Sequence, residues 1–143
     1  MSYKYLPEIS IADIAFEAWG FSLNELFESA AAATTNVMVK ELKSIKHKKK
    51  ISIKIEAKTV EKLLFNFIDD IIFYKDAKQL IFSKYKIAIK ESKGLFILKA
   101  VFSGEKLNMK KHELIVDVKA VTMHHFEIKQ EKGKWKAIVV LDI

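Results

Sequence analysis

The chain has 143 residues, half of them hydrophobic and 30% charged, with a formal net charge of +7, no cysteine and no arginine. This is the composition of one ordinary globular domain with a proper core. It excludes disulfides, thiolate metal sites, cysteine nucleophiles and bidentate guanidinium contacts. The longest apolar stretch, Leu63 to Tyr74, is interrupted by Asn66, Asp69 and Asp70, too short and too polar to cross a bilayer. No signal-peptide pattern opens the chain, and a soluble cytoplasmic protein without membrane contact is expected.

Tyr3 to Trp19 reads as an extended segment, with Pro7 near its start and Ile14, Phe16 and Ala18 alternating. Gly20 ends it. Ser22-Leu-Asn-Glu25 is a capping box, because the serine hydroxyl can accept from the Glu25 backbone N–H while the glutamate reaches back. A helix is expected to follow to about Leu42, with Ala30 to Ala33 permitting close approach to a sheet. The lysine-dense run Lys43 to Lys50, which includes His47, is expected as a loop that is either solvated or touches RNA or an acidic partner.

Ile51, Ile53, Ile55 and Ala57 alternate with polar residues as in a half-buried strand. Thr59 is a suitable N-cap for a second helix to about Tyr74, burying Leu63, Leu64, Phe67, Ile68, Ile71 and Ile72. Lys75 to Gln79 is a short polar linker. Ile81 to Ile89 and Leu95 to Phe102 are strands joined by a turn at Lys93-Gly94. Gly104 to Glu113 lacks periodicity and is expected as a surface loop. Leu114 to Ile143 closes the chain as a hairpin turning near Gly133, its strand pattern running to the final residue. Grouped rather than alternating elements predict a single domain over 1–143. Its class is α+β: a largely antiparallel arrangement of about six or seven strands packed with two helices.

Catalytic signatures are sparse. There is no glycine-rich phosphate loop, no G-x-S-x-G elbow and no H-E-x-x-H. His124 and His125, if in a regular strand, would point to opposite faces and could not share one metal. His112 lies beside Lys110 and Lys111 and is a packed or surface histidine more often than a ligand. The carboxylates say more. Asp13 and Asp142 each interrupt an apolar strand pattern, where an unpaired charge is costly. If the first and last strands are neighbours, Asp13, Asp142 and the Ile143 α-carboxylate converge. Oxygen-only donors would then select a hard cation such as calcium or magnesium. Lys119 is an alternative counter-charge, with Asp117 on its face of a strand, and edge carboxylates in water are a third reading.

These residues also carry a resemblance. A-D-I at Ala12–Ile14, W-G-x-S-L-x-E-L-F-E at Trp19–Glu28, N-V-M-V at Asn36–Val39 and L-L-x-x-F at Leu63–Phe67 are similar to the archease family. So are G-E-K-L at Gly104–Leu107, K-K-H-E at Lys110–Glu113, V-K-A-V-T-x-H at Val118–His124 and the final L-D-I. The resemblance spans essentially the whole chain. It implies a small α+β fold and a non-catalytic activator of the RtcB-type tRNA-splicing ligase, promoting ligase guanylylation and multiple turnover. It places a divalent-metal site on Asp13, Asp142 and Ile143, with calcium expected and magnesium or manganese as alternatives. It places partner-contacting roles on Lys119 and His124. Where the family usually reads H-T-A-D, this chain has Ser10-Ile11-Ala12-Asp13. The implied partner is the ligase, with RNA met only indirectly or weakly. Competing readings are a lysine-rich RNA-binding module, a metal-dependent hydrolase and a general chaperone.

Overall fold

The computed structural model describes residues 2–7 and 13–143. The elements in chain order are β1 (Tyr3–Tyr5), β2 (Asp13–Gly20), α1 (Leu23–Met38), a 3-10 turn (Leu42–Ser44), β3 (Lys49–Ala57) and α2 (Val60–Lys78). Then follow β4 (Leu80–Ser92), β5 (Leu95–Lys106), β6 (Ala120–Glu131) and β7 (Lys134–Asp142). The strands form two antiparallel sheets, one in the order β1-β2-β7-β6 and one in the order β3-β5-β4. This is the α+β class with seven strands and two helices that the pattern predicts. The two helices join the sheets: α1 touches both β2 and β4, and α2 touches β6 as well as β3 and β4.

Packing between two sheets explains the composition of α1. Eleven of its sixteen residues are buried, including the run Ala30 to Ala33. Only small side chains let a helix be covered on several sides at once. Its start is the expected capping box with one change. Ser22 Oγ accepts from the Glu25 N–H at 3.2 Å, but the Glu25 carboxylate reaches one residue further back, to the Phe21 N–H at 3.1 Å. The helix stops at Met38 rather than near Leu42. There the Asn36 side-chain amide donates to the Val39 and Lys40 carbonyls, and Val39 leaves to bridge Leu114.

Thr59 caps α2, its hydroxyl accepting from the Lys62 N–H at 3.1 Å, and all six predicted apolar residues are buried. The helix runs four residues past Tyr74, through the segment expected as a linker. It ends where Gln79 enters the left-handed region at φ 55° and donates to the Lys75 carbonyl. The β4–β5 and β6–β7 hairpins turn on Lys93-Gly94 and Lys132-Gly133, with positive φ at both central residues, as the twist of antiparallel strands favours.

Three expectations fail here. The opening extended segment is two strands, since Tyr3–Tyr5 pairs back antiparallel on Phe16–Ala18. Residues 104–106 belong to β5, not to a loop. Leu114–Lys119 is not strand: β6 begins only at Ala120, because Asp117 and the Val118 carbonyl are taken by the Lys75 ammonium.

At the centre of the core, the Phe67 ring lies 5.4 Å from Phe27 and 5.5 Å from Phe102, between α1 and the smaller sheet. Truncating it opens a cavity bordered by both helices and β5. Phe67→Ala is expected to cost about 3–5 kcal/mol, read as a lower urea midpoint with little change in slope.

Candidate functional site

β2 and β7 are the two central strands of the larger sheet. Their register places Asp13, the first residue of β2, directly opposite Asp142, the last of β7. Directly opposed residues share a face, with Cβ atoms about 4.5–5.5 Å apart, and like charges so placed repel. On the other side of β7, Asp142 faces Ala120, and the Lys119 N–H donates to the Asp142 carbonyl at 2.8 Å. The start of β2, the end of β7 and the entrance to β6 therefore meet at one end of this sheet, whereas Ser2 lies toward the other end, its carbonyl accepting from the Trp19 N–H. The Ile143 side chain lies against the core. Among the described residues no group of three or more His, Asp or Glu side chains converges as metal ligands. The Ile143 α-carboxylate follows Asp142 directly in the chain. Ser10, Ile11 and Ala12 lie outside the described residues.

Lys119 is exposed and precedes β6. The expected strand pairing of Asp117 with Lys119 does not occur. Asp117 instead binds Lys75, a buried lysine on α2 that also binds Asp76 and donates to the Val118 carbonyl at 2.7 Å. A buried ammonium is tolerable only with such partners. The sequence carried a readable signal for this, since Lys75 sits four residues after Ile71 and three after Ile72, on the apolar stripe of the helix.

His124 and His125 also depart from expectation. β6 bulges between Thr122 and Glu127, with His125 at φ +56°. The two rings are 4.0 Å apart rather than on opposite faces, and both are exposed. The bulge accompanies the packing of Phe126 on Phe65 of α2, ring centroids 5.9 Å apart. The His124 N–H donates to the Thr122 hydroxyl at 3.2 Å, which holds the start of the bulge.

His112 is not a surface residue. Its Nδ1 accepts from the Asn108 N–H at 3.0 Å, so the ring proton sits on Nε2 and is donated to Glu105 at 2.9 Å. Glu105 also accepts from Lys111 Nζ at 2.8 Å and from the Lys46 N–H at 2.7 Å. Burial pushes its carboxyl upward, but the donors from Lys111, Lys46 and His112 outweigh that and bring it down to about 2. This knot ties β5, the 108–112 loop and the lysine-rich segment before β3 together. Sequence reasoning missed it, because spacing cannot show that residues 46, 105 and 112 meet.

The sequence pattern of the Archease protein family matches residues 3–143. The chain belongs to the archease family. It is 35% identical over 133 residues to protein archease of Pyrococcus furiosus, covering 92% of this chain and 93% of that one. It is 39% identical over 132 residues to the archease of Sulfolobus acidocaldarius, with the same coverage, and 32% identical over 142 residues to that of Methanosarcina mazei, covering 99% and 95%. The solution structure of Methanobacterium thermoautotrophicum protein 1598 superposes with a TM-score of 0.86 at 32% identity, covering 99% of both chains. The crystal structure of a Thermotoga maritima archease, described as a possible chaperone, shares the fold at 22% identity and a TM-score of 0.62, covering 96% of each. No helix among the described residues of this archease is long and apolar enough to cross a membrane.

Because the folded-state pKa of Glu105 lies below its ordinary value of 4.5, the unfolded chain binds the extra proton first. The stability this group contributes is complete above pH 4.5 and is lost as pH falls toward about 2. Urea midpoints measured across that window should fall in the native protein. In Glu105→Gln they should start lower and show a flatter pH dependence.

Proposed function

We propose that this archease activates an RtcB-type RNA ligase in tRNA splicing, promoting guanylylation of the ligase and its repeated turnover, without turning over substrate itself. The reading rests on family membership and is carried by one observation, the direct cross-strand opposition of Asp13 and Asp142. Two carboxylates fixed on the central strands of a sheet form a preorganised anionic pair. Oxygen-only donors of this kind suit a hard cation.

Asp13, Asp142 and Ile143 would hold that cation. All-oxygen donors in an irregular array suit calcium, which accepts variable coordination, better than magnesium, which demands a near-ideal octahedron; manganese is a further candidate. When bound, the cation supplies positive charge at this edge, for the ligase's own metal and nucleotide chemistry to use. The residues of this chain do the positioning. β2 and β7 fix the carboxylates, and the Lys119 N–H closes the ladder on Asp142. Exposed Lys119 and the His124 bulge on the neighbouring strand present groups for the ligase. A cytoplasmic location follows from that partner.

Ligase–GMP formation, followed on denaturing gels with ligase from the same source, tests the reading. Asp13→Ala and Asp142→Ala, each with native circular dichroism, should lose roughly tenfold or more of the activation, the cost expected when a metal site is disabled. Calorimetric calcium titration should show binding to the native protein and its loss in both variants. Full activation by either folded variant removes the acid pair from the mechanism.

A further inference from the structure

We propose that the outer face of the β3-β5-β4 sheet docks a double-helical RNA stem through its phosphates. The helices lie against the other side of this sheet, so its outer face is open. Register and alternation place Lys50 and Lys54 of β3, Lys99 of β5, and Lys84, Lys86 and Lys90 of β4 together on that face, all exposed. The rows from Lys50 to Glu56 extend about 20 Å along the strands. Lys54 stands directly opposite Lys99, an arrangement that costs stability unless anions answer it. Against six lysines the face carries one exposed carboxylate, Glu56, which pairs with Lys54 at 3.4 Å.

Lysine-rich composition alone does not produce this. The outer face of the larger sheet, built by the same chain, interleaves Glu17, Glu127 and Glu131 with Lys129 and Lys136. There the charges answer one another, with Lys129 at 3.7 Å from Glu127 and Lys4 at 3.9 Å from Glu17. Only the smaller sheet is almost wholly cationic.

The residues between the lysines specify the occupant. Ser52, Ala88 and Val101 form a shallow floor of short side chains. No aromatic side chain lies on the face to stack an unpaired base, which disfavours single strands. Without arginine there is no bidentate reading of bases, so contacts are to the backbone and blind to sequence. A three-stranded sheet is too wide for the major groove of B-form DNA, which admits a helix or a two-stranded ribbon. A-form RNA instead offers a wide, shallow minor groove bordered by phosphates.

The experiment measures binding of the whole chain, without ligase, to a labelled RNA duplex of about two helical turns, roughly 20 base pairs, at several salt concentrations. The ligase is absent, so the outcome is independent of the acid-pair reading. Lys54→Glu, Lys86→Glu and Lys99→Glu combined should weaken binding at least roughly tenfold and reduce the slope of log affinity on log salt by about 3 units. Lys4→Glu, Lys129→Glu and Lys132→Glu combined change net charge equally on the other sheet and should leave most of the affinity. Equal losses in the two variants overturn the proposal, because net charge alone would then explain them. Equal affinity for a DNA duplex of the same sequence, or for poly-glutamate, also overturns it by assigning the face to a general polyanion or an acidic protein. Unaltered melting temperatures confirm that both surface variants are folded.

Discussion

The antiparallel pairing of β2 with β7 is the constraint on which this molecule depends. These strands come from opposite ends of the chain, yet they are the central pair of the larger sheet, in register from Asp13/Asp142 to Gly20/Trp135. The entropy of closing so long a loop must be met by burial, and Phe16, Ala18, Ala137, Val139 and Leu141 provide it on the face toward the helices. The same register has a chemical consequence at its edge. Once Ile14 faces inward against Leu141, the preceding and following carboxylates must face outward together.

A second principle runs through the irregular segments. Wherever the backbone leaves regular structure inside the fold, a charge or polar knot holds it. Lys75 anchors Asp117 and the Val118 carbonyl, so the approach to β6 is not strand. Glu105 and His112 fasten the 108–112 loop to β5 and to the segment before β3. Among the described residues every buried side-chain nitrogen and oxygen has a hydrogen-bond partner. Lys75, Glu105 and His112 are buried and multiply bonded, and removing one of their partners would leave a buried polar group stranded at a cost that surface pairs rarely carry.

The two sheets present different electrostatics to solvent although one composition serves both. The larger balances acids with lysines on its outer face and sets the Asp13–Asp142 pair at one end, while the smaller is almost purely cationic. An anionic edge and a cationic face on one small body give a partner two distinct surfaces to meet. Neither can be inferred from the net charge of +7.

By itself the sequence determined what is local and periodic. The alternation of Ile51, Ile53 and Ile55, the capping serine and threonine at Ser22 and Thr59, the apolar stripe from Leu63 to Ile72, and the glycine turns at 94 and 133 each rest on contacts a few residues apart. It also made Asp13 and Asp142 conspicuous, because a carboxylate in an apolar strand is costly wherever that strand lies. Tertiary structure alone decided what depends on distant residues meeting. It stopped α1 at Met38, gave Lys75 its partners Asp117 and the Val118 carbonyl, buried His112, and bulged β6 so that Phe126 packs on Phe65 and the two histidines stand side by side. Alternation says which face a side chain takes, but only the pairing of strands says what stands beside it, and so which charges must be answered.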